Sequence, residues 1–130
     1  MISVRLHRVD QPGVELEAGS LRDALVAHAM RAWPAECVGA LFGTTAPLSA
    51  LELENAAPAP GREFELSARE YLRAEAEAER RGLPLLGFYH SHPGGAAEPS
   101  ARDRALFGHF PVQVIIEVRG TPGPAMPGGR

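Results

Sequence analysis

Residues 85–89, Leu-Leu-Gly-Phe-Tyr, form an unbroken apolar run that leads directly into His90-Ser91-His92. Such a run is typical of a strand that is buried on both faces in the middle of a sheet. Residues two apart in an extended chain project to the same side, so the rings of His90 and His92 can converge on one ion. Two histidines at a strand end can also be ordinary surface residues, and the pattern therefore needs a third ligand before it indicates a metal site.

The rest of the chain predicts alternating strands and helices. Apolar residues with a period of two, or in short runs, predict further strands at residues 2–6, 38–43, 51–54, 63–66 and 112–118. His7, on the polar side of the first strand, is expected to face solvent. Capping pairs predict three helices, which start at Ser20, Ser67 and Ser100.

Composition bounds the possible functions. A chain of 130 residues fits one domain that can fold without disulfides or a structural metal. Cys37 is the only cysteine, which excludes an intramolecular disulfide and a zinc site with two cysteine ligands. The net charge of −3, with acidic and basic residues interspersed, argues against nucleic acid as a partner.

The N-terminus has no apolar leader, and no run approaches eighteen apolar residues. We therefore expect a cytoplasmic protein with no membrane partner. The folded domain is predicted to span residues 1–119, and the Pro/Gly-rich residues 120–130 are predicted to be a disordered tail or a processing remnant.

Asp103 is the candidate third ligand. A carboxylate in the first turn of the helix that follows the glycine-rich loop could bind zinc together with His90 and His92 and leave one position open for water. The spacing from Ser100 to Asp103 is also that of a capping box, so a purely structural role remains open from the sequence alone. The two roles are compatible in part, because the helix dipole holds an aspartate at the helix start.

Glu36 precedes the predicted strand at residues 38–43 and could accept a proton from a metal-bound water. The alternative is an ordinary exposed glutamate, which is the usual environment of this residue type. Three further residues are predicted to be structural: Cys37 as a buried small side chain, His28 as a packing residue on a helix face, and His109 among aromatic neighbours.

Taken together, these residues resemble the JAMM (MPN+) metalloprotease family. Its signature is a Glu, then His-Ser-His-Pro, seven residues counted from that Pro, Ser, two residues and Asp. The seven residues 93–99 lie between His92 and Ser100, and residues 101–102 lie between Ser100 and Asp103. Residues 34–39, Pro-Ala-Glu-Cys-Val-Gly, are similar to the Pro-x-Glu-Cys-x-Gly segment of the prokaryotic branch. The resemblance covers about residues 20 to 118.

The resemblance implies an α/β fold of three layers, with a mixed sheet flanked by helices as in cytidine deaminases. Deamination itself is excluded, because the His-x-Glu and Pro-Cys-x-x-Cys motifs are absent. The implied cofactor is Zn²⁺, held by His90, His92 and Asp103, with Glu36 as general base and Ser100 as a hydrogen-bond donor to the oxyanion. Ser91 is expected to point away from the metal and to form a structural hydrogen bond.

The implied activity is that of a metallopeptidase or isopeptidase, which hydrolyses the bond after the C-terminal Gly-Gly of a ubiquitin-like or sulfur-carrier protein. The alternatives are a non-catalytic binding module of the same fold and a zinc hydrolase of an unrelated small amide. Family members usually continue with another strand or two beyond the one at residues 112–118, so we expect a sheet edge that is either exposed or covered by a second subunit, as in a homodimer.

Overall fold

The computed structural model describes residues 2–11, 13–44, 48–57, 65–95 and 99–120, apart from the side chain of Arg102. These residues contain five strands and three helices, which alternate along the chain except that β3 follows β2 directly. Their bounds are β1 Ile2–Arg8, α1 Ser20–Ala32, β2 Val38–Phe42, β3 Ser49–Leu53, α2 Ala68–Arg81, β4 Leu85–Pro93, α3 Ala101–Phe107 and β5 Val112–Gly120. No helix in these ranges is long and apolar enough to cross a lipid bilayer.

The strands form one sheet in the order β1-β5-β4-β2-β3. β4 and β5 are parallel, whereas every other neighbouring pair is antiparallel, so the predicted mixed sheet is confirmed. The apolar run of residues 85–89 begins β4, the central strand, as the sequence predicted. β5 has a neighbour on both sides, and the edges of the described sheet are β1 and β3. Whether a second subunit covers one of these edges stays a prediction.

Helices cover both faces of the sheet and give the three predicted layers. On one face, Leu25 and Ala29 of α1 belong to a buried cluster with Val114 and Ile116 of β5. On the other face, α2 and α3 contribute to a second buried cluster around β2 and β4. The Phe88 and Phe107 rings stack there with centroids 4.7 Å apart, which places α3 directly against the central strand.

Gly39 in β2 creates space for the ring of Tyr89 on the α1 face. A Cβ atom at position 39 would lie 2.1 Å from the Tyr89 ring, which no real packing permits. The ring therefore lies against the backbone of β2, and its hydroxyl reaches Nδ1 of His28 at 2.7 Å. This buried hydrogen bond joins α1 to the central strand.

The predicted helix starts are only partly correct. Ser67 caps α2 by accepting a hydrogen bond from the Glu70 backbone N–H at 3.1 Å, as expected. At α1 the prediction is wrong: Gly19 is the N-cap, and no side chain caps the helix. Ser20 lies inside the first turn because Gly19 adopts a backbone φ of 154°, a value that glycine tolerates far better than serine.

Two strand predictions also need correction. Residues 65 and 66 are described and do not lie in a strand, whereas residues 63 and 64 of that predicted strand are outside the described residues, as is most of the loop before them. His7 is only partly exposed, because its Nε2 lies 2.9 Å from Oε1 of Glu117 on β5. The tail at residues 121–130 also lies outside the described residues, and Gly120 still belongs to β5.

Candidate metal centre

The candidate site lies where the carboxyl end of β4 meets the start of β2. The antiparallel register pairs Val38 with His90, and beyond it the Ser91 N–H donates to the Cys37 carbonyl at 3.1 Å. Continuing this register by one more residue brings Glu36 opposite His92. Paired residues in an antiparallel ladder project from the same face, so His90 and His92 lie on the face that α3 covers, and a continued register would place Glu36 on that face too.

Three side chains of this region converge on one point. The Nε2 atoms of His90 and His92 are 3.0 Å apart. Oδ2 of Asp103, from the first turn of α3, lies 3.1 Å from Nε2 of His90 and 3.4 Å from Nε2 of His92. The structure thus brings together the three residues that the sequence singled out as ligands, and they form a group able to hold a metal ion.

The spacing of these donor atoms fits a small tetrahedral cation. Zinc binds nitrogen and oxygen ligands at about 2.0–2.1 Å, which sets the edge of the ligand tetrahedron at about 3.3 Å. The three observed separations, 3.0, 3.1 and 3.4 Å, bracket that edge. Two imidazole nitrogens and one carboxylate oxygen also form the donor set that leaves zinc a position for a water or substrate.

The capping role of Asp103 coexists with this geometry. Ser100 Oγ accepts from the Asp103 N–H at 3.1 Å, and Asp103 Oδ2 accepts from the Ser100 N–H at 2.8 Å, which is a complete capping box. The same Oδ2 faces both histidines. Because a carboxylate oxygen has two acceptor directions, one can hold the cap while the other faces the ion.

Burial and charge favour the protonation states that a metal needs. His90 is fully buried, and burial lowers its pKa, so its ring is neutral at pH 7. Burial alone would raise the pKa of Asp103, but hydrogen bonds from His90 and His92 outweigh it and hold the pKa well below its usual value. A neutral imidazole and an ionised carboxylate are the metal-binding forms of these groups. The His92 side chain is 16% exposed, which leaves the site open to solvent on that side.

Glu36 is buried, with 8% of its surface exposed, so the interpretation of an ordinary exposed glutamate is wrong. Its backbone carbonyl accepts from Nδ2 of Asn55 at 2.9 Å. Oδ1 of Asn55 in turn accepts from the backbone N–H groups of Ala57 and Glu65, both at 3.0 Å. Sequence reasoning missed Asn55, although an asparagine that bonds the N–H two residues later is a recognised turn former.

The side chains of the other residues considered from the sequence do not belong to the ligand cluster. Ser91 is buried, and its Oγ accepts from the Cys37 N–H at 2.8 Å, which is the predicted structural hydrogen bond. Cys37 is 2% exposed, and burial raises its thiol pKa to about 11, as expected of a packing residue. His28 packs against Tyr89 on the opposite face, and His109 is exposed beside the ring of Phe110.

Relatives of known name match parts of the chain. A protein of Thermus thermophilus named "Probable TtuB-protein conjugate cleaving protease" is 40% identical over 59% of this chain and 52% of its own length. A protein of Haloferax volcanii named "Desampylase" is 34% identical over 67% of this chain and 68% of its own length. The matched region thus spans about half of the first relative and two thirds of the second.

A solved structure, protein DSY2949 from Desulfitobacterium hafniense, superposes with a TM-score of 0.57 at 33% identity, over 66% of this chain and 62% of that chain. A family model described as prokaryotic homologs of the JAB domain matches residues 19–126. This range contains all five candidate site residues: Glu36, His90, His92, Ser100 and Asp103. The chain therefore belongs to the family of prokaryotic homologues of the JAB domain, the prokaryotic branch of the JAMM proteins.

Proposed function

We propose that this protein is a zinc-dependent isopeptidase that hydrolyses the bond after the C-terminal Gly-Gly of a ubiquitin-like or sulfur-carrier protein. The observation that carries the proposal is the cluster of His90, His92 and Asp103, with donor atoms 3.0–3.4 Å apart. The names of the Thermus and Haloferax relatives, a conjugate-cleaving protease and a desampylase, support cleavage of protein conjugates.

His90, His92 and Asp103 would hold the ion. When bound, zinc supplies a Lewis acid that polarises a carbonyl and makes water acidic near neutral pH. Glu36, which a continued register places on the same face of the sheet, is assigned as the general base that takes the proton of the attacking water and returns it to the leaving amine. Its burial is compatible with this role, because a base shielded from bulk water can be held in one position beside the site.

Ser100 is assigned as the donor to the oxygen that becomes negative when the water attacks. Its Oγ already accepts from the Asp103 N–H, but a hydroxyl has a hydrogen of its own to donate. The residue is exposed at the start of α3, so a substrate carbonyl can approach it. Ser100 would thereby support the Asp103 ligand and the developing oxyanion with one side chain.

A Gly-Gly tail suits the surroundings of the ligands. Gly94 and Gly95 follow directly after β4, and Gly94 has a positive φ of 70°, so the chain turns there without bulky side chains. An extended tail can hydrogen-bond through its backbone, and glycines pass where larger residues would collide. Selection for one carrier would then come from contacts with its folded body.

Metal content together with paired fusions tests the proposal. We expect one zinc per chain, and cleavage after Gly-Gly when a sulfur-carrier protein is fused to an amino acid or peptide. A fusion in which the second glycine is leucine should be cleaved much more weakly, as followed by mass spectrometry. Equal cleavage of both fusions would contradict the Gly-Gly specificity. So would cleavage of neither fusion while an unrelated amide is hydrolysed, and in either case the protein would be only a zinc hydrolase. Zinc binding with no hydrolysis would favour the non-catalytic module.

A further inference from the structure

Glu36 lies in a short connection that belongs to no helix or strand. α1 ends at Ala32 and β2 begins at Val38. The turn after α1 is closed by the Ala35 N–H, which donates to the Ala32 carbonyl at 2.8 Å. Because no regular element contains Glu36, the position of the proposed base depends on what holds the backbone between this turn and β2.

The peptide group that joins Glu36 to Cys37 is held at both ends. Its carbonyl oxygen accepts from Nδ2 of Asn55, beyond the end of β3, at 2.9 Å. Its N–H donates to Oγ of Ser91, on β4, at 2.8 Å. The Ser91 N–H adds a bond to the next carbonyl, that of Cys37, at 3.1 Å. Side chains from both neighbouring strands therefore fix the backbone from which the Glu36 carboxylate projects.

Asn55 bonds to Glu36 where the backbone ladder between β2 and β3 has ended. The two strands pair antiparallel as far as Val38 and Leu53, and the register continued by two residues places Asn55 opposite Glu36. The β3 chain does not continue the ladder there, because the Glu54 N–H donates to a carboxylate of α2 at 2.6 Å. A side-chain amide therefore holds Glu36 beyond the last backbone pair.

The donor and the acceptor of the Asn55 amide serve different partners. Nδ2 reaches the Glu36 carbonyl, whereas Oδ1 accepts from the N–H groups of Ala57 and Glu65, both at 3.0 Å. Residue 65 lies two positions before Ser67, the N-cap of α2. The acceptor thus closes a turn between β3 and α2, and the donor connects that turn to the proposed base.

We propose that Asn55 is a positioning residue of the proposed reaction: it holds the backbone of Glu36 so that the carboxylate keeps the place from which it accepts the proton of the attacking water. This inference rests on the proposed function. A shift of about 1 Å at a reacting group can lower a rate about a hundredfold. Loss of the Asn55 donor should therefore slow turnover, while the ligands His90, His92 and Asp103 keep their metal.

Asn55→Asp tests the proposal with an almost isosteric change. The aspartate keeps an oxygen for the Ala57 and Glu65 N–H groups and replaces the donor to the Glu36 carbonyl with a second oxygen. We expect one zinc per chain, a KM for a Gly-Gly fusion within about twofold of the unmodified protein, and a kcat lower by about tenfold to a hundredfold.

Asn55→Ser repeats the test without an added charge. A serine hydroxyl also accepts from the N–H two residues later, but it is one atom shorter than the amide that reaches Glu36. The same loss of kcat, with zinc content and KM retained, is expected. A purely structural Asn55 predicts the opposite result in both variants, which is lower thermal stability with an unchanged kcat.

Ala56→Asp is the matched control for the added charge. Ala56 is exposed and adjacent to Asn55, and its backbone N–H donates to the Glu65 carbonyl at 3.0 Å, a bond that the substitution leaves in place. Turnover should stay within about twofold of the unmodified protein. An equal loss of kcat in Ala56→Asp and Asn55→Asp, with none in Asn55→Ser, would overturn the proposal, because negative charge alone would explain the effect.

Hydrogen exchange supplies a readout that needs neither turnover nor zinc. The Cys37 amide belongs to the peptide group whose carbonyl Asn55 holds, so loss of that bond should let it open more often. We expect its exchange to quicken about tenfold in Asn55→Asp and Asn55→Ser. Amides of β1, which Asn55 does not contact, should exchange as before. Unchanged exchange at Cys37 in both variants would show that Asn55 does not hold this backbone.

The outcomes separate the inference from the proposed function. If the unmodified protein cleaves a Gly-Gly fusion and both Asn55 variants cleave it with the same kcat, the inference alone is overturned. Loss of zinc together with kcat, in variants that remain folded, would also overturn it, because the change would then act on the metal centre. If the unmodified zinc-loaded protein cleaves no Gly-Gly fusion, the proposed function fails, and the inference fails with it.

Discussion

The two faces of β4 carry different chemistry although their residues alternate along one strand. On the face toward α3, His90 and His92 meet Asp103 with donor atoms 3.0–3.4 Å apart. On the face toward α1, the Tyr89 hydroxyl hydrogen-bonds His28 of α1, and Ser91 Oγ accepts from the N–H of Cys37, just before β2. A period of two thus places a candidate metal site and a structural network within four consecutive residues, 89–92.

The two faces of β4 can also be compared through two buried histidines, His28 on the α1 side and His90 on the α3 side. His28 shares one hydrogen bond with the Tyr89 hydroxyl, and its Nε2 lies 3.8 Å from Oε1 of the single carboxylate Glu52. Burial lowers its pKa. His90 is buried as well and its pKa is also lowered, but its Nε2 faces a second imidazole and a carboxylate. Burial and a depressed pKa therefore do not distinguish a ligand from a packing residue; the crowding of several donor atoms does.

The largest expected difference in zinc content and turnover is between a variant that lacks a proposed ligand, His90, and one that lacks the structural histidine, His28. His90→Ala should reduce zinc from one ion per chain to nearly none, and turnover by more than about a thousandfold, because a Lewis acid supplies several kcal/mol to the transition state. His92→Ala and Asp103→Ala should do the same. His28→Gln should cost about 1–3 kcal/mol of stability and leave zinc content unchanged.

Elemental analysis, a kinetic assay and denaturant unfolding of the same preparations check all four variants. Full zinc content and activity in Asp103→Ala would reduce that residue to a helix cap. Loss of zinc in His28→Gln, in a protein that remains folded, would remove the distinction between the two faces.

The second effect separates metal binding from proton transfer on the ligand face. Glu36→Gln should retain zinc, and turnover should fall by about a hundredfold to ten-thousandfold, because an amide cannot accept the proton of the attacking water. Glu52→Gln is the matched control: Glu52 lies on the edge strand β3, where it pairs with Arg31, and turnover should change little. Equal turnover of Glu36→Gln and the unmodified protein would make Glu36 a structural residue.

Most of the fold was predictable because burial leaves a simple pattern in this chain. The unbroken apolar run at residues 85–89 predicted a strand with both faces buried, and such a strand lies in the middle of a sheet, where β4 is found. The start of α1 was predicted wrongly, because Ser20 and Asp23 have the spacing of a capping pair, whereas the backbone conformation of Gly19 decides where the helix begins. The spacing between a capping serine and an acidic residue does not predict which of two adjacent residues, here Gly19 or Ser20, takes the non-helical N-cap conformation.

The candidate site was predictable only as far as its motif reaches. His90, His92 and Asp103 have fixed spacing along the chain, and the structure brings them together. Asn55 was missed because it acts through the backbone of Glu36, nineteen residues earlier, and no sequence pattern records that contact. The partial burial of His7 was missed for the same reason, since Glu117 lies 110 residues away and reaches His7 only through the pairing of β1 with β5.

A smaller effect tests the double role of Ser100. Ser100→Ala should lower kcat by about tenfold to a thousandfold, the range for loss of one oxyanion donor. It should also cost about 0.5–2 kcal/mol of stability through the lost cap. Ser67→Ala is a matched control, because Ser67 caps α2 with the same 3.1 Å hydrogen bond and lies outside the ligand cluster. If both variants lose stability and neither loses turnover, Ser100 is only a cap.

The smallest effect on turnover is expected at Cys37, whose backbone lies next to the site while its side chain belongs to the opposite face. The thiol is 2% exposed and its pKa is raised to about 11, so at pH 8 only about one thiol in a thousand is the reactive thiolate. Cys37→Ala should therefore keep kcat within about twofold and cost about 1 kcal/mol through lost apolar contact. Iodoacetamide at pH 8 should label the unfolded chain readily and the native chain hardly at all. Rapid labelling of the native chain, accompanied by loss of turnover, would show that the thiol reaches the ligand face and that the two faces of β4 are not chemically separate.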